Sequence, residues 1–207
     1  MPHDLAWQRY LFGALALLLA AIALPTAASE ALRAATDPGT PTVEAIHAEA
    51  ALGWLRGDLW GAYAMAEAKR ADAGEEAARP AFRRAAEWAL SLAPYQPQLW
   101  LRLAKLDESD PKRASQFNAV LKMAYYTGAA DDGGTADRLQ MALSATGSPD
   151  EELDELARGD VRAMVAHGRL RELSTIYRSL DAGARGFIEN AVKSIQPDMA
   201  PRLDAPG

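Results

Sequence analysis

The heptapeptide Asp58-Leu59-Trp60-Gly61-Ala62-Tyr63-Ala64 returns 40 residues later as Gln98-Leu99-Trp100-Leu101-Arg102-Leu103-Ala104: a large aromatic, an apolar residue, then alanine. Before the second copy stand Ala86, Ala89, Leu90 and Leu92-Ala93-Pro94. The whole chain is rich in alanine and sparse in isoleucine, valine and threonine. Alanine is the best helix former and β-branched residues favour strands, so the repeated unit reads as helical. The expected fold class is all-α, an N-terminal transmembrane helix followed by a compact helical-hairpin domain.

Outward from the repeat, the pattern predicts helices over residues 42–56, 58–71, 80–93, 97–106, 111–127, 135–145, 149–165, 170–180 and 182–195. Thr40 is positioned to cap the first of these, with Pro41 at its first helical position. Asp110-Pro111 and Ser148-Pro149 each set a capping side chain before a proline, and Glu151 completes a capping box with Ser148. Gly128 and Gly168 stand where left-handed C-caps are wanted. The last helix carries the clearest stripe, Ala184, Phe187, Ile188, Ala191, Val192 and Ile195, ended by Pro197. Leu153, Leu156, Ala157, Val161, Met164 and Val165 repeat the pattern earlier.

These residues resemble the tetratricopeptide repeat family: a small residue late in a second helix, a proline after it, and a tryptophan six residues on, at the fourth position of the next helix. Pro94 to Trp100 has that spacing. Trp60, Trp100 and Pro94 are thereby implied to be repeat-core residues, which for the two tryptophans is also the simplest packing role. The chain departs from the family in its spacing, 40 residues between tryptophans against the usual ~34, so an insertion of about six falls over residues 71–79. Ala64 and Ala104 take the family's glycine position, Glu67 and Asp107 its tyrosine position. The resemblance covers roughly residues 45–106, about one and a half repeats, too few for a long solenoid with a peptide groove. Later helices must close the stack. The whole pattern is also similar to small membrane-anchored repeat proteins of proteobacterial envelope assembly, a likeness of fold that fixes no function.

Residues 11–24 form the unbroken apolar run LFGALALLLAAIAL. As a membrane anchor, the segment 7–28 just spans a bilayer at ~1.5 Å per residue, with Trp7 and Tyr10 at headgroup level and Leu11 to Leu24 in the hydrocarbon. As a signal peptide, it has an apolar core of suitable length, Pro25 at the boundary, and small residues at Thr26 and Ala28 for cleavage. Its n-region is barely basic, because Asp4 offsets Arg9. A buried core helix is disfavoured, since a run apolar on every face would need protein on all sides. Arg9 and the amino terminus precede the run, while Glu30, Arg33 and Asp37 follow it. The body is therefore expected on the periplasmic side of a bacterial inner membrane, held by a single pass.

The expected organisation is a membrane segment and its extension over 1–35 and a linker over 36–41. An all-helical domain follows over 42–196 (repeat-like over 42–106, closing helices over 107–196), then a disordered tail over 197–207. The chain has 207 residues, 49% hydrophobic and 24% charged, with a net charge of -6 and a pI near 5.1. No nucleic acid is expected as a partner, because phosphates call for a concentrated basic face. Cysteine is absent, which removes disulfides, thiolate chemistry and thiolate-bound zinc.

No catalytic constellation is present, and no enzyme activity, cofactor or metal is expected. His3, His47 and His167 share no ligand spacing; His47 reads as a solvated partner of Glu44, and His167 favours the negative end of its helix. Asp131-Asp132-Gly133-Gly134 with Asp137 lacks the alternating acids and distant glutamate of a calcium loop. Asp150, Glu151, Glu152, Asp154 and Glu155 complement a helix dipole. Trp54 and Trp88 fall at less apolar positions and, with Tyr125 and Tyr126, are candidate partner-interface residues, since exposed aromatics anchor binding hot spots.

The function expected is a membrane-tethered helical adaptor or scaffold subunit. It would bind another membrane or envelope protein, with an envelope assembly or polysaccharide system as the expected setting, through its membrane segment, its tryptophan-bearing helices, or both. Two alternatives stand beside it. One is a soluble periplasmic binding module after cleavage at Ala28. The other is an envelope-polysaccharide enzyme subunit using paired carboxylates, which would need a cleft with two partly buried acids.

Overall fold

The structure, a computed structural model, describes residues 4–35, 41–128, 133–144 and 150–203. It is all-α, with ten α-helices and no strand among the described residues. The chain divides between Pro94 and Tyr95 into two units, so the boundary falls inside the expected 42–196 domain and the two tryptophan motifs belong to different units.

The first unit holds α1 (Asp4–Ala35), α2 (Val43–Leu52), α3 (Gly57–Asp72) and α4 (Ala78–Leu92). The cap of α2 is Thr42, whose hydroxyl accepts from the Ala45 N–H at 3.3 Å. Pro41 thus lies outside the helix, correcting its expected first-turn position, and Thr40 lies outside the described residues. At the end of α3, Gly74 has φ +94°. Its N–H donates to Ala71 O at 3.0 Å and that of Glu75 to Arg70 O at 3.1 Å. This reciprocal pair needs a left-handed residue, hence glycine.

Helices α3 and α4 form an antiparallel hairpin. Leu59, Ala64 and Ala68 of α3 and Ala78, Phe82, Ala85, Ala86 and Ala89 of α4 are buried. A Cβ on Gly57 would stand 2.7 Å from Ala93 Cβ, so the start of α3 meets the end of α4. The expected insertion over 71–79 is a short turn, residues 73–77, between helices of 16 and 15 residues. Pro94 is exposed in the connection that follows α4, which removes it from the expected repeat core.

The second unit holds α5 (Pro97–Glu108), a 3-10 turn (Ala114–Gln116), α6 (Phe117–Gly128), α7 (Thr135–Ser144), α8 (Glu151–Ala166), α9 (Leu170–Ser179), α10 (Ala182–Ile195) and a second 3-10 turn (Pro197–Arg202). Here Gly128 is helical. A Cβ would stand 2.7 Å from Pro97 Cβ and 2.8 Å from an Arg138 nitrogen, so its role is close approach rather than a left-handed cap. Gly168, at φ +70°, does cap α8 as expected, with the Arg169 N–H on Met164 O at 2.8 Å. Leu101, Ala104, Phe117, Leu121, Ala124, Tyr125 and Leu153 form one core cluster, with Trp100 partly buried against it. A second gathers Leu139, Val161, Met164, Leu173, Ile188 and Val192.

Three more expectations are corrected in this unit. Asp110 caps only a turn, its carboxylate accepting from the Lys112 N–H at 3.0 Å, and α6 begins at Phe117 rather than Pro111. Asp150, not Ser148, caps α8, accepting from the Leu153 N–H at 3.1 Å, while Ser148 and Pro149 lie outside the described residues. The tail is not uniformly disordered: Leu203 is 1% exposed and belongs to the second core cluster, with Met199 and Ala200 packed against it.

Helices α3 and α5 share one register. Trp60 and Trp100 are each the fourth residue of their helix, Ala64 and Ala104 the eighth, and both alanines are fully buried. Glu67 and Asp107 are both the eleventh, and both are buried acids.

Candidate functional site

The longest exposed apolar surface is α1. Its stretch Tyr10–Leu32 has a mean hydropathy of 2.2, long and apolar enough to cross a membrane. Trp7, Tyr10, Leu11 and Leu24 are all exposed. The helix passes through Pro25 without breaking. Proline has no N–H to donate to the carbonyl one turn back, a gap helices tolerate with a local bend. The Thr26 hydroxyl donates to Ala23 O at 2.8 Å in the same turn.

Beyond Leu24 the surroundings change. Pro25, Thr26 and Leu32 are half-buried and Ser29 is fully buried, one face of the last turns. That face is seated on the turn between α2 and α3. A Cβ on Gly53 would stand 3.3 Å from Ser29 Oγ and 2.5 Å from Leu59 Cδ1, so α1 and the start of α3 both approach this turn closely. Beside it the Arg56 guanidinium donates to both Glu30 and Asp58. Those two carboxylates hold Arg56 well above its ordinary range, and Arg56 pulls the Asp58 carboxyl below its own.

The same turn carries an apolar patch. Leu52 is 41%, Trp54 48% and Leu55 41% exposed, and Trp88 of α4, 43% exposed, reaches over to donate from Nε1 to Trp54 O at 3.1 Å. Two residues singled out separately in the sequence thus form one surface. Leu52, Leu55, Ser29, Glu30 and Arg56 were missed. The signal available was Gly53-Trp54-Leu55-Arg56-Gly57, an apolar pair in a turn bracketed by glycines.

Trp60 is half-buried beside two other rings: its centroid lies 6.1 Å from that of Tyr63 and 6.2 Å from that of His47. His47 and Tyr63 stack at 4.5 Å. His47 is exposed, as expected, with its ring packed against that of Tyr63. Burial raises the Tyr63 hydroxyl, with the nearby Glu67 carboxylate adding to it.

The second tyrosine pair separates. Tyr126 is 52% exposed and donates to Glu152, which also accepts from Lys122 Nζ at 2.6 Å; Lys122 pairs with Asp150 at 2.9 Å. Lys122 holds both carboxyls below their usual range. Tyr125 is 4% exposed and so is withdrawn from the candidate interface. Its neighbours are buried polar groups: Arg138 lies over its ring at 5.2 Å and donates to Asp160 at 3.3 Å, to Gly128 O at 3.2 Å and to Thr135 Oγ1 at 3.4 Å. Burial raises the Asp160 carboxyl despite Arg138, and raises the Tyr125 hydroxyl further with the help of Asp160. Arg138 joins three helices, α6, α7 and α8, a structural role for this buried ion pair.

Among the described residues, no group of three or more histidines and carboxylates is placed to hold a metal; Asp131 and Asp132 lie outside them. No protein-family model, curated protein or solved structure matches the chain.

Proposed function

We propose that this chain is a membrane-tethered helical adaptor that binds another membrane or envelope protein. The observation that carries it is the exposed apolar helix running without interruption into a seat on a helical body. Apart from the carbonyl opposite Pro25, such a helix satisfies its backbone groups internally, which is what a bilayer demands of a spanning segment. Arg9 and the amino terminus before the span, set against Arg33 after it, favour by a small margin a periplasmic body on a bacterial inner membrane. Tethering in two dimensions raises the effective concentration of any partner in the same membrane, so a modest interface suffices. Helices α3 and α5, each with tryptophan, buried alanine and buried acid in the same register, favour a tetratricopeptide-like body, a type of surface that serves protein contact.

The test is purification of the C-terminally tagged chain in mild detergent, with mass spectrometry of its N-terminus and of co-purifying proteins. An intact N-terminus with a stoichiometric membrane partner supports the adaptor. A chain beginning at Ser29 and running alone sinks it in favour of a processed, soluble module, the reading that the small residues Thr26-Ala27-Ala28 favour.

A further inference from the structure

The 18 residues from Trp7 to Leu24 are the part of α1 free of the body, apart from Arg9, whose side chain is not described. At ~1.5 Å per residue they span about 27 Å, which sets the Trp7 and Tyr10 belt at one edge of the ~30 Å hydrocarbon and Leu24 near the other. The hydrocarbon boundary then falls near Pro25, where the body begins to cover the helix. Ser29 lies four residues further, about 6 Å along the axis, and the headgroup layer is itself about 5–7 Å deep on each side. Gly53 is in contact with Ser29, so the turn holding Leu52, Trp54 and Leu55 is fixed at headgroup depth.

We propose that the 52–55 turn, together with Trp88, is an interfacial membrane anchor that inserts into the headgroup layer of the leaflet from which α1 emerges. This rests on the reading that α1 spans the bilayer. Three observations commit the patch to lipid rather than to a protein. Membrane proteins place tryptophan and tyrosine at both interfaces. Helix α1 carries Trp7 and Tyr10 at one end but only Pro25-Thr26-Ala27-Ala28-Ser29-Glu30 at the other, so the body supplies the missing belt. The patch is joined to the span itself, through Ser29 and through Glu30 on Arg56. Finally, the cation of this turn, Arg56, is bonded to Asp58 and Glu30, leaving an apolar and aromatic surface whose insertion depends on no anionic lipid.

The chain has no cysteine, so single cysteines can be labelled cleanly. Full-length Leu55→Cys, Leu17→Cys and Glu76→Cys, each carrying an environment-sensitive NBD dye, would be reconstituted into phosphatidylcholine vesicles. Fluorescence would be read with bromine on the acyl chains near the headgroup and with iodide in the water. Leu17 reports the middle of α1, and Glu76 the far end of the α3–α4 hairpin. The expected result is a blue-shifted Leu55 label that loses intensity to shallow bromolipid, a Leu17 label shielded from iodide, and a Glu76 label open to iodide. A Leu55 label open to iodide while Leu17 stays shielded overturns the anchor and leaves the span standing. A Leu55 label shielded from both quenchers places a protein on the patch and also overturns it. A Leu17 label open to iodide removes the span, and the inference with it.

Discussion

Trp88 Nε1 donates to the main-chain carbonyl of Trp54 at 3.1 Å, tying α4 to the turn that follows α2. Both rings stay nearly half exposed, so the bond does not bury them. It fixes the backbone that carries one ring by means of the other. The Arg56 N–H donates to Gly53 O at 2.7 Å, closing that turn on itself, while the Arg56 guanidinium ties it to Glu30 and Asp58. The exposed side chains are thus held by bonds from α1, α3 and α4.

Trp88→Phe keeps a ring and removes the donor. Stability should fall by about 0.5–1.5 kcal/mol, the net worth of one hydrogen bond whose acceptor water can still reach. Amide exchange at Arg56 should quicken while that within α3 stays unchanged. Urea unfolding gives the first and hydrogen exchange the second; unaltered Arg56 exchange would show that the turn does not depend on this bond.

The glycines should divide sharply. Gly57→Ala and Gly128→Ala push a methyl to within 2.7 Å of Ala93 Cβ and Pro97 Cβ, respectively. Each should cost about 1–3 kcal/mol, as overpacking does. Gly159, inside α8 with nothing within 4 Å of a new Cβ, should gain about 0.5–1 kcal/mol as alanine. Thermal denaturation of the three variants, ranked, decides it.

Removing one partner of the Arg138–Asp160 pair should cost far more than removing both. Asp160→Leu leaves a guanidinium only 3% exposed without its counter-charge, and Arg138→Met leaves the carboxylate likewise. Each single change should cost about 3–5 kcal/mol, while the double replacement should cost much less than their sum. Additive losses in the cycle would show that the pair is not energetically coupled.

The same carboxyl sets a pH dependence. Its folded-state pKa is raised, so the native state binds the proton more tightly than the unfolded chain. The contribution is full below the unfolded value of ~3.9 and is lost as pH rises through the folded value. Asp150 and Glu152 are lowered and act oppositely, losing their contribution as pH falls. The stability of the wild type relative to Asp160→Asn should therefore decline as pH is raised from about 4 toward neutrality. Denaturant midpoints across that range measure it; a rising difference would mean that Arg138 outweighs burial.

Much of the helical order was legible, because periodic stripes survive any detail of packing. Residues 182–195 match α10 at both ends. The misplaced starts have a common cause: Thr40 and Thr42, or Ser148 and Asp150, offer equivalent capping oxygens two residues apart, and only the path of the chain decides between them. Gly128 looked like a cap because its true constraint, the approach of Pro97 and Arg138, is tertiary. Tyr125 could have been resolved, since Phe117, Leu121, Ala124 and Tyr125 continue one helical stripe and Tyr126 falls about 100° off it. The pairing of Trp54 with Trp88, and the seat of Ser29 on Gly53, join residues too distant in sequence for any local pattern to record.

Since α1 remains helical beyond Pro25 to Ala35 while its last turns are clasped on one face, the first unit cannot swivel about its own shaft. With α1 spanning a bilayer, as proposed, the unit's heading around the membrane normal would be set by how α1 is rotated in the lipid. If two such helices, or one and a partner's, were to pair side by side, a shift of one residue in the contact face would swing the unit by about 100°. Orientation at the surface would thus be written in the choice of residues that meet inside the bilayer.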